Sequence, residues 1–468
     1  MENIHLENID FEYAPGRRIF SGAAVDINQG ELVLLCGKTG SGKSTLLRLI
    51  QKELDTKAGF VMQNPDNQIV CDRVYSELEF GATNAAQGNE RHRLELIRQR
   101  VAETAGYFGI SRQINRDTHT LSGGEKQILN IASAMAANPK VLLMDEPTSM
   151  LDPIMADRVI DLVKNINREL GITVIIAEHR SDRIFAYADK ILLIEDETVV
   201  CKDKRSMAEY MSRSQELRGF LPEIARSVEM SPPPLSLAEA VFGKAHAVYV
   251  GKEAPLSSHP VLRLKNVSFA YDRSKGALID NLNLSVDGGS ITALLGENGC
   301  GKSTLALLSA GALKPYSGSV KINGRKIKKA GENSAMLFQD VTLHFTGDTV
   351  DGKYNGMHPY DLSGGERQLA ALDIILSKNP SLLILDEPTK GLDYNEKEKL
   401  GKRLEKLRDE GKAILLITHD VEFAAMFSDR MLLMFGGKIV CDRPAREFCE
   451  SNIFYTTAGA RLSKMNSD

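Results

Sequence analysis

Eight consecutive residues, Gly37-Lys38-Thr39-Gly40-Ser41-Gly42-Lys43-Ser44, have the types and spacing to hold a polyphosphate. The apolar run Leu32-Val33-Leu34-Leu35-Cys36 precedes them and Thr45-Leu46-Leu47-Arg48-Leu49-Ile50 follows, so the stretch predicts a glycine loop between a strand and a helix. Glycines let successive N–H groups turn inward around phosphate oxygens, and the helix N-terminus adds partial positive charge. Lys43 would reach the terminal phosphates, and Ser44 would offer its hydroxyl to Mg2+. A second such loop, Gly296-Glu297-Asn298-Gly299-Cys300-Gly301-Lys302-Ser303-Thr304, follows the apolar run Ile291-Thr292-Ala293-Leu294-Leu295. Asp145 and Asp386 each close an apolar strand, a position suited to holding Mg2+ through water. Their neighbours Glu146 and Glu387 stand where a general base would polarise an attacking water. Leu121-Ser122-Gly123-Gly124-Glu125 and Leu362-Ser363-Gly364-Gly365-Glu366 each open a helix with a serine cap, which gives every half a second anion site. His179 and His419 each follow one further apolar strand.

These elements come in the same order twice, so a large internal duplication is the simplest account. Each half alternates strands with amphipathic helices, which predicts an α/β fold with a mainly parallel sheet. The expected organisation is a first domain over 1–215, a linker over 216–258, a second domain over 259–450 and a tail over 451–468. The linker rests on Ser231-Pro232-Pro233-Pro234 and Pro255-Leu256-Ser257-Ser258-His259-Pro260, which cannot continue a helix or a central strand. A short helix is expected within it at Leu237 to Phe242. Net charge is −4, against the basic excess of a broad nucleic-acid-binding surface. No apolar run reaches the roughly 18 residues of a membrane span, and the acidic start Met1-Glu2-Asn3-Ile4-His5-Leu6-Glu7 lacks the apolar stretch of a signal peptide. Six cysteines without CxxC spacing predict reduced thiols in the cytosol.

The set of motifs resembles the ABC ATPases: Walker A, Q-loop, LSGGE signature, Walker B, D-loop and switch histidine, over nearly the whole chain outside linker and tail. The resemblance implies two tandem P-loop ATPase domains that bind ATP with Mg2+ and meet head to tail within one chain, the signature of one closing over ATP held by the other. Lys43 would then pair with Ser363, and Lys302 with Ser122. It also implies that Gln63 and Gln339 are the Q-loop glutamines and metal neighbours, alongside Ser44, Asp145, Ser303 and Asp386. Ser149-Met150-Leu151-Asp152 and Lys390-Gly391-Leu392-Asp393 match the D-loops, and Tyr13 and Tyr271 match the aromatic that stacks on adenine. Both sites keep their glutamate and histidine, so both are expected to hydrolyse ATP.

Finer features are similar to one branch. Gln63-Asn64-Pro65-Asp66-Asn67-Gln68, Glu178-His179-Arg180, Leu221-Pro222-Glu223-Ile224-Ala225 and Glu387-Pro388-Thr389-Lys390-Gly391-Leu392-Asp393 resemble fused ATPases of energy-coupling factor importers of the hydroxymethylpyrimidine/thiamine type. That implies a peripheral protein on the cytoplasmic face of the membrane, joined to a transmembrane coupling protein and a substrate-binding membrane protein. The rivals are a soluble two-domain ABC protein acting on ribosomes or DNA, and the fused ATPase of a sugar importer. The halves also differ in spacing. Lys43 to Gln63 is shorter than Lys302 to Gln339, whereas Gln63 to Ser122 is longer than Gln339 to Ser363. The first half is therefore expected to have a shortened β-subdomain, the second a shortened helical subdomain, and the first half to carry the main groove for a membrane partner.

Overall fold

Strands made of unbroken apolar runs are buried on both faces, and in this chain they build two six-stranded sheets. The computed structural model describes residues 3–13, 18–54, 58–83, 90–179, 181–247, 259–327, 329–331, 333–345, 347, 349–350, 356–362 and 364–466. It divides into two units, 1–222 and 223–468.

The first unit runs β1 (Ile4–Glu12), β2 (Arg18–Ile27), β3 (Leu32–Gly37), α1 (Lys43–Leu54), β4 (Ala58–Val61), α2 (Val74–Thr83), α3 (Glu90–Tyr107), α4 (Gly123–Ala136), β5 (Val141–Asp145), α5 (Pro153–Leu170), β6 (Thr173–Ala177), β7 (Lys190–Glu195), β8 (Thr198–Asp203) and α6 (Lys204–Ser212). Its main sheet has the order β4-β5-β6-β3-β7-β8, parallel except for β8. The antiparallel subdomain is only the pair β1-β2. Phe20, Val25 and Ile27 of β2 pack with Leu46, Leu47 and Ile50 of α1 and with Val33 and Leu35 of β3 in one core.

The second unit runs α7 (Glu223–Arg226), α8 (Leu237–Phe242), β9 (Pro260–Phe269), β10 (Ile279–Asp287), β11 (Ser290–Gly296), α9 (Lys302–Ser309), β12 (Ser317–Ile322), β13 (Arg325–Lys326), β14 (Ser334–Leu337), α10 (Gly364–Leu376), β15 (Leu382–Asp386), α11 (Tyr394–Asp409), β16 (Ala413–Ile417), α12 (Val421–Phe427), β17 (Arg430–Phe435), β18 (Lys438–Pro444), α13 (Ala445–Ser451) and α14 (Ala458–Met465). Its main sheet, β14-β15-β16-β11-β17-β18, repeats the first order, and its antiparallel sheet has four strands, β10-β9-β12-β13. Between Gln339 and the signature the described residues form two 3-10 turns, Val341–His344 and Pro359–Asp361, and no α-helix. The corresponding stretch of the first unit holds α2 and α3. The β-subdomain is thus the shorter one in the first unit and the helical subdomain in the second, as the motif spacing predicts.

The stretch expected as a linker divides between the units. Residues to Pro222 lie with the first, and those from Glu223 fold onto the second. The prolines stop regular structure, but Ile224, Val228, Ala240 and Ala245 are buried together with Leu462 of α14. The Glu223 carboxylate also accepts the Ala458 N–H at 2.6 Å. The helix expected at 237–242 is α8. Residues 248–258, with most of the second proline cluster, lie outside the described residues, and Pro260, its last member, opens β9. Among the described residues, no helix is long and apolar enough to cross a membrane.

Candidate functional site

In each unit the chemistry-bearing residues leave the C-terminal ends of three adjacent parallel strands. Asp145 ends β5 in register with Ala177 of β6, and Leu35 of β3 lies beside that same Ala177. The ladder continues one residue past the strand, the Glu146 N–H donating to the Ala177 carbonyl at 2.9 Å. Glu146, the β6 exit at Glu178-His179 and the phosphate loop after β3 are therefore neighbours although far apart in the chain. The second unit repeats this: Asp386 pairs with Ile417, and the Glu387 N–H donates to the Ile417 carbonyl at 2.9 Å. Glu146 and Glu387 both have positive φ, 45° and 53°, a sharp turn that swings their carboxylates back over the strand ends.

The Lys43 ammonium donates to the carbonyls of Gly37 (2.9 Å) and Lys38 (3.0 Å), and that of Lys302 to Gly296 (2.9 Å) and Glu297 (2.8 Å). Each lysine thus lies across its own loop. Gly42 is required by packing, since a Cβ there would sit 2.4 Å from the Ile19 side chain. Tyr13 donates to or accepts from Thr45 Oγ1 at 2.6 Å, and Tyr271 does the same with Thr304 at 3.2 Å. Both tyrosine rings are exposed, each backed edge-on by a phenylalanine, Phe11 or Phe269. That presents a flat aromatic face beside each phosphate loop.

Asp145 is hydrogen-bonded to Ser44, and Asp386 to Ser303. Burial raises both carboxyls above the ordinary aspartate range, against the opposing pull of those hydroxyls and of the loop lysine. A buried carboxylate beside a hydroxyl, with a glutamine opposite, is a hard oxygen donor set that fits Mg2+. Glu146 is gripped from two sides: Gln63 donates to Oε2 at 2.7 Å and His179 Nε2 lies 2.8 Å from Oε1. In the second unit His419 Nε2 is 3.4 Å from Glu387 Oε1, while the His419 N–H and the Thr418 hydroxyl donate to Oε2 at 3.2 and 3.5 Å. Gln339 lines the same cleft as Lys302, Ser303, Asp386, Glu387 and His419.

Ser122 caps α4 in a full capping box with Glu125. Gly124 lets α4 approach α5, where a Cβ would meet Met155 Cε at 2.5 Å, and Gly365 does the same against Glu396 at 2.3 Å. Ser363 lies outside the described residues, while Gly364 and Gly365 open α10. The Gln63–Gln68 loop is braced internally and against α4. Gln68 accepts from Met62 N (2.8 Å) and donates to Phe60 O (2.9 Å), Asn130 donates to Pro65 O (3.2 Å), and Lys126 pairs with Asp66 (2.6 Å). Three features escaped the sequence reading: the Gln63–Glu146 bond, the grip of Glu178 on Thr148, and the burial of Lys390 near Glu387, which lowers the lysine's pKa. Glu178 stood in a quoted motif, but nothing local to it names its partner 30 residues away.

Comparison with known proteins places this arrangement. The ABC transporter family model matches residues 20–149, 279–352 and 348–390. A Bacillus thuringiensis subsp. konkukian protein, provisionally named an ABC transporter ATP-binding protein, is 34% identical over 97% of this chain and 94% of its own. A Streptomyces avermitilis protein of the same provisional name is 30% identical over 95% and 94%. Among solved structures, a model of ribosome-bound archaeal Pelota and ABCE1 is similar in fold at 18% identity, covering 95% of this chain and 79% of that one, with a TM-score of 0.64. The chain belongs to the ABC transporter ATP-binding proteins, as an ATPase with two tandem ABC domains.

Proposed function

We propose that this ATPase is the energy-coupling subunit of an energy-coupling factor importer, driving uptake of a vitamin or metal micronutrient. It would sit on the cytoplasmic face of the membrane against a transmembrane coupling protein and a separate substrate-binding membrane protein. The observation that carries this reading is the exposure of large apolar side chains along the Q-loop and the helix that follows it in the first unit. Met62, Val70 and Phe80 are exposed there, Val70 at 66% and Phe80 at 50%. Val70 is held in place, because the buried Glu77 carboxylate accepts the Val70 and Cys71 N–H groups at 3.0 and 2.9 Å. Exposed apolar side chains on a braced surface fit a protein partner better than solvent.

In this reading each phosphate loop and its lysine bind the triphosphate, and Tyr13 and Tyr271 stack on adenine. Ser44, Gln63 and Asp145, and likewise Ser303, Gln339 and Asp386, would hold Mg2+, which neutralises charge on the phosphates. Glu146 and Glu387 take the proton of the attacking water, with His179 and His419 orienting them. Ser122-Gly123-Gly124 and Ser363-Gly364-Gly365 each complete the site of the other domain within the same chain. The test is affinity purification of the tagged full chain from detergent-solubilised membranes. Integral membrane proteins in stoichiometric amount support the reading, and recovery of ribosomes or DNA in their place overturns it.

A further inference from the structure

The two units differ at two positions beside the proposed bases: Ser149 stands where the second unit has the half-buried Lys390, and a second difference lies at the switch-histidine strand. The residue between that strand and its histidine is Glu178, after β6, in the first unit and Thr418, after β16, in the second. Glu178 is buried, at 4% exposure, and its Oε1 accepts both the Thr148 N–H (2.9 Å) and the Thr148 hydroxyl (2.7 Å). Both bonds come from the residue two positions after Glu146, so Glu178 acts on the turn that carries the base. It ties down the turn that follows Glu146, whose carboxylate meets Gln63 at 2.7 Å and His179 at 2.8 Å. Thr418 is a donor. Its hydroxyl reaches Glu387 Oε2 at 3.5 Å and meets the hydroxyl of Thr389, the counterpart of Thr148, at 3.4 Å. Glu387 is accordingly drawn toward the 418–419 backbone, and His419 stands off at 3.4 Å.

We propose that Glu178 is a positioning residue that presets Glu146 for catalysis, and that its replacement by Thr418 makes the second site the less preorganised of the two. This rests on the assignment of Glu146 and Glu387 as general bases. Two bonds to one carboxylate oxygen, at 2.7 and 2.9 Å, hold Thr148 more closely than the single 3.4 Å hydroxyl contact holds Thr389. Misplacing a base by a fraction of an ångström slows chemistry without weakening ATP binding.

The experiment uses the full chain, first confirmed to hydrolyse ATP, with Glu387→Gln added so that the remaining turnover belongs to the first site. Onto this are placed Glu178→Thr, which installs the second unit's residue, and Glu178→Gln, whose amide oxygen still accepts both Thr148 bonds. Glu178→Thr is expected to lower kcat about 10-fold or more with KM for ATP within about 2-fold, while Glu178→Gln stays within about 3-fold of its parent. Unchanged kcat in Glu178→Thr overturns the proposal, as does an equal loss in both variants or a loss seen only in KM. No turnover in the Glu387→Gln parent also overturns it, because a preset first site then fails to act. An unsubstituted chain that does not hydrolyse ATP would instead contradict the base assignment itself.

Discussion

At the residue scale, the contrast between charge and burial sets what each acid does. Glu146 meets Gln63 and His179 within 2.8 Å, so replacing it by Gln removes a base whose surroundings stay intact. Steady-state ATPase of Glu146→Gln is expected to fall by roughly 10²–10⁴-fold at the first site, with ATP binding retained in equilibrium titration. Asp386 behaves differently. Burial raises its pKa despite the Ser303 hydroxyl and Lys302, so the ionised form is disfavoured in the fold. That destabilisation is full above the folded-state pKa, shrinks as pH falls below it and is gone below the unfolded-state value. Nucleotide-free Asp386→Asn should therefore melt above the unsubstituted chain at pH 7, the gap closing in acid, while its Mg2+-dependent hydrolysis is lost. A lower Tm at pH 7 would contradict this. Phosphate loops, strand-end acids and histidines were legible because each carries its chemistry in adjacent residues. The Glu178–Thr148 and Gln63–Glu146 bonds were not, since register between strands decides them.

Among the elements, close approach is what the sequence states least directly. Helices α2 and α4 cross at Gly81, where a Cβ would lie 2.2 Å from the Ser133 carbonyl oxygen. Backbone cannot yield as a side-chain tip does, so Gly81→Ala should separate the helices and destabilise the first unit by about 1–3 kcal/mol. Chemical denaturation checks it, and an unchanged midpoint would show that the helices adjust freely. Short-range signals did reveal elements: spacing between motifs showed which half lacks helices, and α8 was readable inside a proline-rich stretch. The packing of that stretch was not. Three consecutive prolines report only where helix and strand stop, and nothing near Ile224 or Ala240 announces Leu462, more than 200 residues later.

For the whole molecule, duplication followed by opposite losses gives two ATPase units with different outer surfaces. Joined in one chain, they should close over ATP intramolecularly, so a Glu146→Gln, Glu387→Gln chain is expected to trap two ATP per polypeptide irrespective of protein dilution. One trapped ATP, or trapping that weakens on dilution, would contradict the pairing. The same duplication predicts unequal engagement of the membrane partner. The first unit offers Phe80 on α2, and the second offers at the corresponding place a short turn with Leu343 exposed at 66%. Exposed on these two surfaces, Phe80 and Leu343 are the positions to probe.

Single cysteines at Phe80 and at Leu343, in chains freed of the six native thiols and assembled in membranes, test the central claim most directly. Energy coupling to a membrane importer through the first unit predicts that the Phe80→Cys chain crosslinks to an integral membrane protein and that the Leu343→Cys chain does so weakly. Equal crosslinking would refute the asymmetry between units, and adducts with ribosomal proteins in place of membrane proteins would contradict the transport role altogether.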